Sequence, residues 1–232
     1  MREAFVRVTR REFCEKSATL AIAAAVLGSA ASFDGFFQAA FAQEAHNGEK
    51  KVSMDDLLKA SKLPTKSLGK ADAPVKIVEY ASLTCPHCAH FENTVFPELK
   101  KRYIDTGKAY YVFRELPLNK LDLVAMMVAR CTADDQFFPF IETLFRTQDD
   151  WVVQQGALGK LQNLAKQVGI SDDKFKACVS DQKTLDSLMN QRDEASKFGT
   201  DSTPTFFING AMYNGDMPIE RVAQIIDPLL KS

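Results

Sequence analysis

Two cysteines separated by Pro86 and His87, directly after the apolar run Val75-Lys76-Ile77-Val78-Glu79-Tyr80, place a dithiol where a strand ends and a helix begins. A helix N-terminus carries partial positive charge and several unpaired N–H groups, and both favour a thiolate over a thiol. Pro86 suits the first helical turn, where its missing N–H costs nothing. Cys88, three residues on, sits one turn back over Cys85 and can close a small disulfide ring with it. The arrangement points to thiol–disulfide redox chemistry. A stable staple or a zinc-binding pair is the bland alternative. Cys85, His87, Cys88 and His90 lie too close on one helix to converge on a tetrahedral ion, so neither a metal nor a cofactor is expected.

The N-terminus narrows the setting of that dithiol. Arg2, Arg7, Arg10, Arg11 and Lys16 precede an alanine-rich apolar run from Ser17 to about Ala31. At about 15 residues the run is short for a membrane span and right for the core of a signal peptide. Ala40-Phe41-Ala42 offers a small-x-small cleavage site, giving an expected signal over residues 1–42. Thr9-Arg10-Arg11-Glu12-Phe13 resembles a twin-arginine export signal, although Cys14 stands where that motif has a large apolar residue. A Sec-type signal is the alternative, and an uncleaved anchor a third. With Cys14 removed, four of the five cysteines remain, an even set that suggests two pairs in an oxidising compartment. The formal net charge is −1 and no basic stripe with interleaved aromatics occurs, which argues against a nucleic-acid partner.

Length and periodicity set out the rest. The 232 residues allow one generous domain, or one domain with an insertion. Residues 43 to about 70 are polar and read as a tail or linker, with Ser53 and Asp56 able to cap a short helix through Ala60. A strand is predicted over 75–81 and a helix over 86–103, kinked at Pro97. Thr106-Gly107-Lys108 turns the chain into a strand over 109–114. Helical spacing recurs over 121–133, 136–147, 157–168, 172–180 and 184–198, where Phe137, Phe138, Phe140 and Phe145 read as packing core. Strands over 205–208 and 211–213 are joined by Asn209-Gly210, and a helix over 218–230 ends the chain. The order is β-α-β, a helical block, then β-β-α.

Three segments together resemble the DsbA family of periplasmic thiol–disulfide oxidoreductases, most closely its alphaproteobacterial branch. They are Val78-Glu79-Tyr80 leading to Thr84-Cys85-Pro86-His87-Cys88, then Phe113-Arg114-Glu115-Leu116-Pro117-Leu118, then Gly199-Thr200-Asp201-Ser202-Thr203-Pro204-Thr205-Phe206. The resemblance implies an α/β fold, a thioredoxin fold with an inserted α-helical domain. Residues 68–116 and 198–232 would form the thioredoxin unit and 117–197 the insertion, after a tail over 43–67. It implies Cys85 as nucleophile, Cys88 as the buried resolving partner and His87 as a group that steadies the Cys85 thiolate. Pro204 matches the family's cis-proline, with Thr203 offering its backbone to substrate. A trans proline opening a strand is the alternative. Thr203 replaces the valine of strongly oxidising members, which leaves the redox poise open. Glu79 matches a buried acid that relays the Cys88 proton, against a glutamate facing water. A second disulfide between Cys131 and Cys178 is implied by the alphaproteobacterial relatives, against two free core cysteines. The implied partners are unfolded exported proteins with reduced cysteines and a DsbB-like membrane reoxidant, the protein itself being a periplasmic monomer. A disulfide isomerase or a redox-tethered peptide-binding chaperone is the alternative function.

Overall fold

Five strands form one mixed sheet in the order β1-β3-β2-β4-β5. A computed structural model describes residues 51–231. The expected signal, with Arg10, Arg11 and Cys14, lies outside the described residues. Strand β1 is Lys66–Leu68, β2 Val75–Ala81, β3 Ala109–Glu115, β4 Thr205–Ile208 and β5 Ala211–Asn214. β2 lies at the centre, parallel to β3 with Glu79 beside Phe113, and antiparallel to β4 with Glu79 beside Phe206. Both of its faces are covered, which is why it reads as a nearly unbroken apolar run.

The two faces have different partners. Ile77, Tyr111, Phe113, Phe206 and Ile208 pack into the larger core, together with Phe91, Val95, Phe96 and Leu99 of the helix that follows β2. Val78, Tyr80, Val112 and Phe207 pack on the opposite side against Leu57 and Ala195. Leu57 belongs to helix α1, Met54–Lys59, which Ser53 caps by accepting the Asp56 N–H.

The region predicted as a tail is thus partly structured. Lys51 bridges to Ala211, the Val52 N–H donates to the Gly210 carbonyl, and β1 pairs antiparallel with β3. A three-residue edge strand shows no alternation long enough to read from sequence. Gly210 is also required here: its φ is +85°, and a Cβ would meet the Val52 carbonyl oxygen at 2.3 Å.

The helix after β2 starts at Pro86 and runs to Ile104, alternating α-helical pieces, α2 Pro86–His90 and α3 Phe96–Leu99, with π-helical turns at Phe91–Val95 and Lys100–Ile104. The sequence predicts a kink at Pro97. The chain instead widens to a π turn just before the proline, and the Thr94 hydroxyl donates to the His90 carbonyl at 2.7 Å.

Between β3 and β4 lie six helices: α4 Lys120–Arg130, α5 Phe137–Arg146, α6 Gln148–Trp151, α7 Ala157–Gln167, α8 Asp172–Val179 and α9 Gln182–Lys197. A last helix, α10, spans Ile219–Leu229. Phe137, Phe140 and Phe145 are buried, and Phe138 is half-buried against the same core. Cys131, capping the end of α4, is bonded to Cys178 of α8 across 47 residues of chain. Among the described residues no helix is long and apolar enough to cross a membrane.

Candidate active site

Cys85 is the N-cap of α2, in extended backbone, and Pro86 takes the first helical position. Both it and Cys88 are free thiols, 8% and 0% exposed. Their chemistry diverges strongly. The Cys85 thiol is lowered to about 5, first by a hydrogen bond from the Cys88 thiol, with further help from the Thr203 side chain and from the backbone N–H groups of Cys88 and His87. Burial opposes the shift and loses. Burial pushes the Cys88 thiol far up, and the neighbouring Cys85 and the charge of Glu79 push the same way. The surroundings thus favour deprotonation at Cys85 and retention of the proton at Cys88.

His87 contributes its N–H while its imidazole is exposed to solvent. The Thr203–Pro204 peptide bond is cis, and the Cys85 thiol donates to the Thr203 carbonyl at 3.3 Å. The dithiol and the residue before the proline therefore meet although 118 positions separate them. The buried Thr203 hydroxyl has no hydrogen-bond partner. A thiolate at Cys85 supplies the missing acceptor, in line with its lowering effect on that thiol.

Glu79 is fully buried on the sheet face that carries the CxxC helix, and burial raises its carboxyl to about 8 against the opposing hydrogen bond from Tyr111. The Tyr111 hydroxyl donates to Glu79 Oε2 at 2.7 Å and lies 3.3 Å from Glu92 Oε1. Glu79 Oε1 has no protein partner. A neutral or anionic carboxyl near pH 7, with one free oxygen and close enough to Cys88 for its charge to be felt there, is suited to exchanging a proton with that thiol.

Sequence reasoning missed four residues here. Glu92 stands four positions after Cys88, on the same helix face, and burial raises its carboxyl well above the usual range. That spacing was the available signal. Tyr111 alternates with Phe113 and looks like plain core. Asp122 of α4 and Gln148 of α6 are buried polar residues that reach the loop before Cys85 from the helical block. No local pattern marks either of them. Burial raises Asp122 to about 6, against hydrogen bonds from Ser82, Leu118 and Leu83.

Cys131 and Cys178 form their disulfide away from this centre, beside a buried ion pair in which Arg130 Nη2 donates to Glu115 Oε2 at 2.6 Å. Among the described residues no cluster of His, Cys, Asp or Glu side chains is arranged to hold a metal ion.

The arrangement has known counterparts. The family model for thioredoxin matches residues 61–228. The crystal structure of Wolbachia pipientis alpha-DsbA1 is similar with a TM-score of 0.69 and 34% identity, over 75% of this chain and 95% of that one. Oxidised BdbD from Bacillus subtilis shares the fold with a TM-score of 0.67 at 24% identity, over 80% of this chain and 98% of that one. A Rickettsia bellii protein, provisionally named a protein-disulfide oxidoreductase, is 38% identical over 168 residues, 71% of this chain and 64% of its own length. Matches to its Rickettsia felis and Rickettsia typhi counterparts cover 59% and 61% of their lengths, so the chain spans less than two thirds of these relatives. With the CxxC helix, the cis-proline and the helical block in place on this sheet, the chain belongs to the thioredoxin family, among its DsbA-type members.

Proposed function

We propose that the chain is a thiol:disulfide oxidoreductase that introduces disulfide bonds into exported proteins through Cys85-Pro86-His87-Cys88. The observation that carries this reading is the asymmetry of the two sulfurs: Cys85 caps α2 with its sulfur 3.3 Å from the Thr203 carbonyl beside the cis-proline, whereas Cys88 is wholly buried, and the first thiol is lowered to about 5 while burial pushes the second far up. A dithiol that is stabilised as thiolate plus thiol gives up its disulfide readily, because transfer ends in that favoured state.

The steps follow from this asymmetry. In the oxidised protein a substrate thiolate attacks the Cys85 sulfur, forming a mixed disulfide and breaking the Cys85–Cys88 bond. Cys88 leaves as a thiolate and takes a proton, with Glu79 as donor or relay. A second substrate thiolate attacks the substrate sulfur of the mixed disulfide and expels Cys85 as a thiolate. Two electrons pass from the substrate to the protein, and the substrate gains one disulfide. The Thr203 backbone beside Pro204 would pair with the extended substrate segment, and the His87 imidazole would sit beside the thiolate.

In this reading residues 1–42 direct export to the periplasm, by the twin-arginine route or by Sec. Residues 43–67 form a leading segment, 68–116 with 198–232 the thioredoxin unit, and 117–197 the insertion. The protein works as a monomer, takes unfolded exported proteins with reduced cysteines as substrates, and is reoxidised by a DsbB-like membrane protein. The unpartnered Thr203 hydroxyl favours a second reading, an isomerase or reductase, because a donor on the Cys85 thiolate changes how readily substrate is released.

Cys88→Ala tests the reading. It removes the resolving thiol, so when its Cys85 thiolate attacks a client protein that carries a reactive disulfide, one client sulfur leaves as a thiolate and the other should accumulate as a mixed disulfide on Cys85. Recovery of clients without any covalent link to Cys85 would leave only a peptide-binding role.

A further inference from the structure

The loop Ser82-Leu83-Thr84 joins β2 to the Cys85 helix, and its backbone groups fall between a strand ladder and a helix that cannot pair them all. Side chains of the helical block supply the partners. The Leu83 N–H donates to Asp122 Oδ1 at 2.8 Å. The Leu83 carbonyl accepts from Gln148 Nε2 at 2.9 Å, and the same nitrogen donates to the Cys85 carbonyl at 3.0 Å. Asp122 Oδ2 accepts from the Ser82 hydroxyl at 2.6 Å, and that hydroxyl oxygen accepts the Thr84 N–H at 3.2 Å. The Cys85 N–H donates to the Ser82 carbonyl at 3.2 Å. The three N–H groups leading into the nucleophile therefore end on Asp122 or on Ser82, which Asp122 holds.

Residue type matches task at both positions. Three donors meet at Asp122, the third being the Leu118 N–H at 2.9 Å, and a carboxylate is an acceptor with two oxygens and no hydrogen to misplace. Two carbonyls meet at Gln148, and a primary amide nitrogen carries two hydrogens. Asp122 is itself fixed at the start of α4, where its N–H donates to the Asn119 side chain. Both side chains are buried, so solvent does not replace them when they are lost.

We infer that Asp122 and Gln148 are positioning residues through which the helical insertion sets the reactivity of Cys85, by gripping Leu83 at its N–H and at its carbonyl, one on each of its two peptide groups. The inference rests on the oxidoreductase reading above and deepens it. The donors that stabilise the Cys85 thiolate act only while its sulfur stays in place, and small displacements at such a centre have large effects. The charge of Asp122 by itself works against a neighbouring thiolate. Any benefit it brings to Cys85 has to come through the loop, and this gives the test a sign.

The pH dependence of iodoacetamide alkylation, mapped to Cys85 by mass spectrometry in the full chain, reads the effect. Asp122→Asn and Gln148→Ala should each raise the midpoint by about one pH unit, and shift the Cys85–Cys88 equilibrium with glutathione about tenfold toward the disulfide. An unchanged midpoint in either variant, or a fall in Asp122→Asn as loss of charge alone requires, overturns the inference. Gln148→Leu keeps a similar volume and removes the amide without opening a cavity, so it answers the question if the other variants fail to fold. A wild-type chain that does not exchange with glutathione would overturn the oxidoreductase reading instead, since the alkylation midpoint needs no exchange.

Discussion

The chain carries two cysteine pairs among its described residues, and they are opposites. Cys85 and Cys88 are three positions apart on one helix end, where backbone N–H groups, a thiol and the Thr203 hydroxyl all favour a charged sulfur. Cys131 and Cys178 are 47 positions apart on two helices of the insertion, bonded to each other beside a buried ion pair. The chemical groups are identical, so the difference lies wholly in what surrounds them. The first pair sits where reduction creates a stabilised thiolate. The second closes a long loop, and its contribution is to restrict the unfolded chain.

Serine substitutions should separate the pairs most sharply. Cys85→Ser should abolish disulfide transfer to a reduced client, whereas the Cys131→Ser, Cys178→Ser double variant should keep it. Retained transfer in Cys85→Ser, measured by client thiol titration, would remove the nucleophile from the account. The same double variant should lose about 2–4 kcal/mol of stability in denaturant unfolding, the usual range for a loop of this order. Its Cys85 alkylation midpoint should not move, and a shift would mean that the two pairs are coupled.

Redox state should change stability in a pH-dependent way. Cys85 titrates lower in the folded dithiol form than the ordinary thiol value near 9, so folding favours its deprotonated form. The resulting stability is present above the ordinary value and is lost as pH falls through about 5. The dithiol form should therefore melt higher than the disulfide form at neutral pH, and the gap should narrow toward pH 5. A gap that is constant with pH would contradict a stabilised thiolate.

Glu79 gives a smaller effect of opposite sign. Its folded value, about 8, lies above the ordinary 4.5, so its contribution is complete below the ordinary value and is lost as pH rises through 8. Glu79→Gln should flatten the fall in melting temperature across that window. It should also remove the pH dependence of Cys88 release from single-turnover exchange, and an unchanged profile would rule out the relay.

Much of this was legible from local pattern. The CxxC after an apolar strand, Pro204 before another and the helical spacing between them lead to the sheet and its insertion, because period and spacing are local properties. What escaped was what packing alone creates. Lys66-Ser67-Leu68 is too short to show alternation. The π turns at Phe91–Val95 and Lys100–Ile104 depend on how the helix meets the core. Asp122 and Gln148 look like ordinary polar residues of amphipathic helices until the fold turns them toward Leu83. Tyr111 and Glu92 join Glu79 because strand register and helix face bring both carboxyls to one hydroxyl.

The oxidoreductase function depends on the Cys85–Cys88 pair passing its disulfide to protein thiols. The most direct measurement mixes the oxidised chain with an equimolar reduced, unfolded protein containing two cysteines, and follows both by thiol-specific mass tagging. The client should gain one disulfide as Cys85 and Cys88 become the dithiol, with Cys131–Cys178 unchanged. A client that stays reduced while Cys85–Cys88 stays oxidised would contradict it.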